Sequence, residues 1–432
     1  MKCLLIHVWN EVAKSYRGKF SNLFSYPSLT IATVYSLIPK GVFEKIDVID
    51  ENSQKVNYDK EFYDVVMLSL ETSSAYTAFK HCDEFKKRGS YIVCGGYFPS
   101  AMPDAVLEHC DTVIKGPGEI SIPQFVNDYA AGNPQRLYSN YDVKPSDFVV
   151  PARDKVTMKK KLNVASIVAN PGCFNACKYC SMRTMWNSIP RPVEEVVEEL
   201  KSLNKKLVVF FDPNFFGNRD YVMELMKAMT PLKLLWAANA TADFGYDDEL
   251  METAYKSGCR GILLGLESFN ISSLSNAAKR FSKADKYKEI IANIHKHNIA
   301  VNGCFVLGFD NDTKEELKLY PKKVDELGLD LCRFAILTPY PGTKQYEEYD
   351  KAGRITTKEW QLYNQFNVVF EPKNMTPAEL EEIYREVWKE SFTWKRVWKR
   401  YRRSPLSKHI YGLVLLGANI GFKYNGMESK RK

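Results

Sequence analysis

The stretch Asn170-Pro171-Gly172-Cys173-Phe174-Asn175-Ala176-Cys177-Lys178-Tyr179-Cys180 sets three cysteines in a CxxxCxxC pattern, with an aromatic residue just before the last. Three thiolates can ligate three irons of a cubane cluster, which leaves the fourth iron open. An open metal position is where a substrate or cofactor binds. A structural zinc site would need a fourth ligand. No Cys or His follows at finger spacing, and His295 and His297 lie far off on a helix-like stretch. Three buried structural cysteines are the remaining alternative, and the regular spacing argues against it.

Around this loop the chain alternates strand and helix signals. Apolar runs at 164–168, 207–211, 234–238, 261–264, 301–306 and 331–336 read as strands. Helix-like stretches at 193–203, 220–228, 247–257, 286–297 and 314–327 separate them. Six such units predict a parallel barrel that stays open, since the closed form takes eight. The cysteine loop follows the first of these strands, at the end where such barrels carry their chemistry. Cys259, Cys304 and Cys332 lie on or beside barrel strands and read as small core residues.

Upstream, short apolar runs at 4–8, 46–49, 65–68, 91–93 and 112–114 alternate with helix-like stretches such as 75–87 and 104–110. This predicts an α/β, Rossmann-like doubly wound sheet over residues 1–135. Such sheets bind ligands at the carboxyl ends of their strands. Those loops contain Ser69-Leu70-Glu71-Thr72-Ser73, Cys94-Gly95-Gly96-Tyr97 and Lys115-Gly116-Pro117-Gly118-Glu119. Residues 136–160, with Pro145, Pro151 and a Lys159-Lys160-Lys161 run, read as a linker. The barrel is assigned to 161–345 and a helical C-terminal region to 346–432. Thr376-Pro377-Ala378-Glu379 is a capping-box signature for its first helix.

Over residues 162–345 the sequence resembles the radical S-adenosylmethionine (SAM) superfamily. The resemblance implies a 4Fe–4S cluster on Cys173, Cys177 and Cys180. Its open iron would chelate SAM, and reduction by an external donor such as flavodoxin or ferredoxin would release a 5′-deoxyadenosyl radical. It implies further SAM contacts at Tyr179, beside the adenine, and at Asp212 and Asn214 in Phe210-Phe211-Asp212-Pro213-Asn214. Asn239, Glu267 and Ser268 (in Leu264-Gly265-Leu266-Glu267-Ser268), Lys279 and Leu337 complete the set. Many relatives carry two acids where this chain has Asp212-Pro213.

A doubly wound domain ahead of this core resembles the cobalamin-binding subfamily. Gly95, Gly96, Gly116, Ser69 and Thr72 are the implied cobalamin contacts. One motif departs: the Asp-x-His-x-x-Gly of cobalt-ligating domains is replaced by His7-Val8-Trp9-Asn10-Glu11-Val12, and His7 reads as a packed core histidine. The resemblance implies cobalamin-dependent methylation of an unactivated carbon or of phosphorus, on a small-molecule or lipid substrate. The alternative enzyme is a radical rearrangement, cyclisation, oxidation or carbon–carbon coupling. A non-catalytic corrinoid or iron–sulfur sensor would have no use for the SAM contacts.

Composition bounds the partners. Hydrophobic residues make up 45%, which excludes a disordered chain. The opening residues do not read as a secretory leader, so ten cysteines imply a reducing cytoplasm rather than a disulfide framework. The net charge of +8 is concentrated: residues 394–432 carry eleven Lys or Arg and one acid, leaving the rest at −2. A near-neutral body excludes a broad nucleic-acid surface. Within the tail, Trp394-Lys395-Arg396-Val397-Trp398-Lys399-Arg400-Tyr401-Arg402-Arg403 reads first as a helix packing its aromatic stripe on the barrel. Its second reading is attachment to an anionic membrane surface. The apolar run at 410–422 is too short to span a bilayer and reads as a core helix or the border of a lipid site.

Overall fold

The computed structural model describes residues 1–10, 28–156, 164–279 and 282–425. Lys159–Lys161 of the linker run, Leu162, Glu11 and Val12 of the departing motif and residues 426–432 of the tail lie outside them.

The first sheet holds β1 (Lys2–His7), β2 (Lys45–Asp50), β3 (Val65–Ser69), β4 (Tyr91–Gly95), β5 (Thr112–Lys115) and β6 (Leu137–Ser139), in the order β2-β1-β3-β4-β5-β6. Every pairing is parallel. The sequence reading missed β6, a three-residue edge strand inside the supposed linker with only Tyr138 buried. Apolar runs such as Val65-Val66-Met67-Leu68 are buried on both faces, as a helix-covered parallel sheet requires. One face packs against the helices Leu29–Leu37 and Gly118–Ala130 through Leu5, Met67, Val93, Ile31 and Ile122. The other packs against Ala75–Lys87. Tyr346, Trp360, Tyr363 and Val369, from far downstream, complete that second core.

The second sheet follows the chain without a crossover: β7 (Val164–Ile167), β8 (Leu207–Phe210), β9 (Leu235–Ala240), β10 (Cys259–Glu267), β11 (Ala300–Leu307) and β12 (Leu331–Ile336). All pairs are parallel, and β7 and β12 are the two edges, so the barrel is open. Its strands alternate: β9 reads half-buried, buried, half-buried, buried along its length. One face meets the helices, and the other faces the lumen. Buried Glu199 of the helix Val193–Ser202 pairs with Arg153, before the barrel, at 2.5 Å and with Arg191 at 2.7 Å. This fastens the approach segment to the barrel wall.

The C-terminal helix Pro377–Ser391 starts with the expected box: Thr376 N–H donates to Glu379 Oε2 at 2.8 Å, and Glu379 N–H to Thr376 Oγ1 at 3.3 Å. In the next helix, Trp394–Arg403, the primary sequence reading is reversed. Trp394 and Trp398 are each 45% exposed, while Val397 and Arg400 are buried. Arg396 pairs with Asp325, and Arg400 donates to Asn419 Oδ1 at 3.1 Å. These two cations are held inward by partners, which turns the tryptophans out. In the last helix, Tyr411–Asn425, Leu413 and Val414 face solvent although Asn419 is fully buried. No helix among the described residues is long and apolar enough to cross a membrane.

Candidate active site

The cysteine loop leaves β7 and is pinned at its root by Asp212, at the end of β8. The Asp212 carboxylate accepts from Ala169 N–H at 3.1 Å and Asn170 N–H at 2.5 Å. Asp212 has no solvent exposure. Burial pushes its carboxyl up to about 7 against the pull of those two N–H groups. Arg191 closes the loop from the other side by donating to Val168 O at 2.9 Å. A side chain at Gly172 would stand 1.9 Å from Asn187 O, so the loop can turn there only without one. Downstream, Lys178 N–H donates to Ala277 O at 3.2 Å and Gln345 N–H to Lys178 O at 3.0 Å.

Cys173, Cys177 and Cys180 are all partly exposed on this anchored loop. Burial raises the Cys177 thiol to about 11 and raises Cys180 as well; each feels the neighbouring thiols of the loop. Among the described residues no group of three or more His, Cys, Asp or Glu is arranged to hold a single metal ion. The donor set still fits a cubane, which takes each thiolate on a different iron.

Behind the thiols lies a polar chain. Lys279 donates to Glu267 Oε1 at 2.5 Å and to Gly265 O at 2.9 Å, and the pair is nearly buried. Burial and then the nearby Glu267 charge raise the Tyr179 phenol, whose ring packs edge-on against Phe309 with centroids 5.8 Å apart. Glu267 adopts φ 66° at the end of β10, a left-handed conformation that costs a non-glycine residue about 1–3 kcal/mol. Asn239 donates to Asp212 O at 2.8 Å. Asn214 Oδ1 is buried with no hydrogen-bond partner, which is what a missing ligand donor leaves behind.

Other sequence expectations change. Asp212 holds the loop backbone, and its buried side chain is spent there. Ser268 is fully buried and bonded to Tyr320 OH at 3.2 Å and Asn270 N–H at 3.0 Å, so its hydroxyl is structural. The Leu337 side chain is buried and its N–H bonds Leu307 O at 2.9 Å, which makes it a strand-end residue. Thr72 is buried within a short turn, away from the cavity wall.

A cavity of about 1240 Å³ starts at the carboxyl edge of the first sheet. Asp50, His7, Ser69 and Gly95 stand in one register row across β2, β1, β3 and β4, and all line it. His7 is therefore no core histidine: its Nδ1 meets Asp50 Oδ1 at 3.3 Å and its ring faces the cavity. The cavity descends as an apolar slot between the sheet and the helices Leu29–Leu37 and Gly118–Ala130, past Ile31, Val34, Met67, Val93 and Ile122. Gly96, Gly116 and Glu119 line it too, and Glu119 Oε2 is buried without a partner. A side chain at Gly96, φ 116°, would strike Leu70 O at 2.4 Å.

The same cavity passes Pro171, Met182, Met185, Phe211 and Pro213 and enters the barrel lumen at Leu263, Asn302 and Arg333. The three thiols themselves are not on its wall; the residues flanking their loop are. That flank docks on the first sheet's helix Tyr97–Ala101: Tyr97 OH reaches Met182 Sδ at 2.7 Å and Ser100 OH reaches Met185 Sδ at 2.9 Å. Sequence reasoning missed Arg333, Asn302, Met182 and Met185. A lone cation in the otherwise uncharged strand Leu331-Cys332-Arg333-Phe334-Ala335-Ile336 was the available signal. Of the three barrel cysteines, Cys259 and Cys332 are core residues, whereas Cys304 is partly exposed on the lumen face.

Comparison with known proteins agrees with this arrangement. The family profile described as the radical SAM superfamily matches residues 167–320. The bacteriochlorophyllide d C-12(1)-methyltransferase of Chlorobaculum tepidum is 28% identical over 376 residues, covering 84% of this chain and 82% of its own. The bacteriochlorophyllide d C-8(2)-methyltransferase of the same organism is 26% identical over 420 residues, covering 91% of each chain. Among solved structures, the radical S-adenosylmethionine methyltransferase TsrM from Kitasatospora setae, with cobalamin and a [4Fe-4S] cluster bound, superposes with a TM-score of 0.70. It is 13% identical and covers 98% of this chain and 99% of its own, a likeness of fold.

Proposed function

We propose, from the radical SAM superfamily match over residues 167–320, that the chain is a cobalamin-dependent methyltransferase acting on an unactivated carbon of a large, mainly apolar molecule. One observation carries this: a single cavity joins the carboxyl edge of the first sheet, the flank of the cysteine loop and the barrel lumen. When bound, the cluster, SAM and cobalamin supply the electron transfer, the carbon-centred radical and the methyl carrier that the side chains lack.

The residues fit these groups by observation. Cys173, Cys177 and Cys180 would hold the cluster on a loop that Asp212 and Arg191 keep in place. The orphaned Asn214 Oδ1 suits the SAM amino group. Lys279 and Glu267 suit its carboxylate and ribose. The slot between the first sheet and its two helices suits a flat nucleotide base, with Glu119 Oε2 at its wall as a polar partner. His7, held by Asp50, stands at the mouth of that slot. The protein's own work is to bind, orient and keep out water: Phe211, Pro213, Met182 and Met185 form an apolar neck between the two halves. The relatives that act on bacteriochlorophyllides favour a conjugated macrocycle as substrate. Electrons come from an external donor.

The test is a reduced, cobalamin-loaded protein given SAM bearing a labelled methyl group. Both 5′-deoxyadenosine and S-adenosylhomocysteine should form, and label should enter the acceptor. Formation of 5′-deoxyadenosine alone would favour rearrangement, coupling or oxidation.

The tail adds a partner to this reading. Exposed Trp394 and Trp398 share a helix with Lys395, Lys399, Arg402 and Arg403, and Ile410, Leu413 and Val414 are exposed further along the chain. Apolar side chains rimmed by cations suit an anionic membrane surface, where an apolar substrate would dissolve. Deleting residues 394–432 should abolish pelleting with phosphatidylserine vesicles. Unchanged pelleting would remove the membrane from the account.

A further inference from the structure

Strand β12 contributes one charge to the molecule, Arg333. In register it pairs with Cys304 of β11, which pairs with Gly265 of β10. Residues in one register row of a parallel sheet point the same way. The row therefore runs from the Lys279–Glu267 pair, which sits on Gly265, past Cys304 to Arg333. At about 4.8 Å between strands, Arg333 stands two strands, or about 10 Å, from Gly265.

Arg153 and Arg191 share Glu199, Arg354 has Asp310 and Arg396 has Asp325, whereas Arg260 and Arg400 bond neutral groups and Arg333 is exposed on the cavity wall. Arg333 lines the cavity with no ion pair and no hydrogen bond among the described residues. Two polar groups near it are also unsatisfied. The Tyr384 hydroxyl, on a side chain only 4% exposed, has no partner and lies within the field of Arg333. Asn302 Oδ1, two residues before Cys304 on the same lumen face, has none either. Leaving such donors and acceptors unpaired is costly, and they are normally satisfied by protein, water or ligand. The surrounding wall is apolar: Leu263, Phe334, Phe366, Trp388 and Phe422.

We propose that Arg333, the Tyr384 hydroxyl and the Asn302 amide form a receptor for a carboxylate carried by an otherwise apolar substrate. The planar guanidinium fork matches a carboxylate bidentately, and the phenol supplies a third donor. One fixed positive charge balances a carboxylate; a phosphate dianion would keep an unpaired charge in an apolar cavity. The proposal deepens the methyltransferase reading and rests on it for calling this cavity the substrate's.

Anion recognition is read without SAM chemistry, so the two ideas fail separately. The probes are protoporphyrin IX and its dimethyl ester, which share a ring and differ in free carboxylates. Binding is followed by quenching of tryptophan fluorescence in the cluster-loaded full chain. Wild type should bind the free acid about tenfold or more tightly than the diester. R333Q should erase that preference with diester binding kept, R333K should keep part of it, and Y384F should reduce it. Equal or absent binding of the two probes by wild type, or a preference that survives R333Q, would overturn the proposal. If R333Q does not load iron, R333K and Y384F decide by the same comparison. Loss of SAM cleavage in wild type would instead count against the radical reading.

Discussion

The two six-stranded parallel sheets use the same alternation of strand and helix to opposite ends. In the first, strands such as β3 are buried on both faces, so polar groups fit only at the carboxyl edge, where Asp50, His7, Ser69 and Gly95 stand in a row. In the second, every other residue faces the lumen, so Asn239, Asn302, Cys304, Glu267 and Arg333 line the inner face along its length. Covering both faces makes a sheet a platform for a ligand lying on its edge. Leaving one face open makes it a container. The cavity that crosses from edge to lumen joins the two.

The comparison can be broken most severely at the container's rim. Replacing Cys173, Cys177 or Cys180 with Ala should abolish SAM cleavage and cut iron content, measured as 5′-deoxyadenosine and bound iron; retained turnover would refute the assignment. Corrinoid binding at the first sheet should survive.

Glu199→Ala comes next, as a test of how the container is fastened. It strands Arg153 and Arg191 near a buried site, and the cost should be about 3–5 kcal/mol in denaturant unfolding. A change under about 1 kcal/mol would show that the triad does not hold the wall.

Gly96→Ala sharpens the platform side. It forces a side chain against Leu70 O at φ 116°, so corrinoid binding should fall by about tenfold or more while the cluster still loads. Loss of the cluster with intact corrinoid binding would reverse the roles given to the two sheets.

The smallest effect is a pH dependence at the slot. Burial raises the Glu119 carboxyl to about 7. Its unfolded value is about 4.3, so between these values the folded state binds the extra proton. Stability from this group is present below about 4 and is lost as pH rises to about 7. E119Q should remove that loss, so its melting temperature should gain on wild type between pH 5 and pH 8 in cofactor-free protein. A constant gap would mean that Glu119 is ionised and paired in the folded state.

The fold was readable because its signals are local. Apolar runs between helix-like stretches gave eleven of the twelve strands among the described residues, with errors of a few residues at their ends. The exception, β6, is three residues long and exposed at both ends, so it carries no run to detect. Within the site, the cysteine loop was legible from spacing alone. The separation of Asp212 from Asn214 was not: both end the same strand, and only packing decides that one side chain anchors the loop and the other is left unsatisfied. Arg333 and Tyr384 come from a strand and a helix far apart in sequence, so no spacing reveals them. The inward turn of Val397 and Arg400 in place of the tryptophans depends on Asn419 and Asp325, partners that helical periodicity does not see.

The most direct test of the central claim is to purify the protein without oxygen, with cobalamin supplied, and to quantify iron, sulfide and corrinoid on one sample. The account predicts about four irons, four sulfides and one corrinoid per chain. Four irons with no corrinoid would contradict it, leaving the first sheet a platform without its ligand.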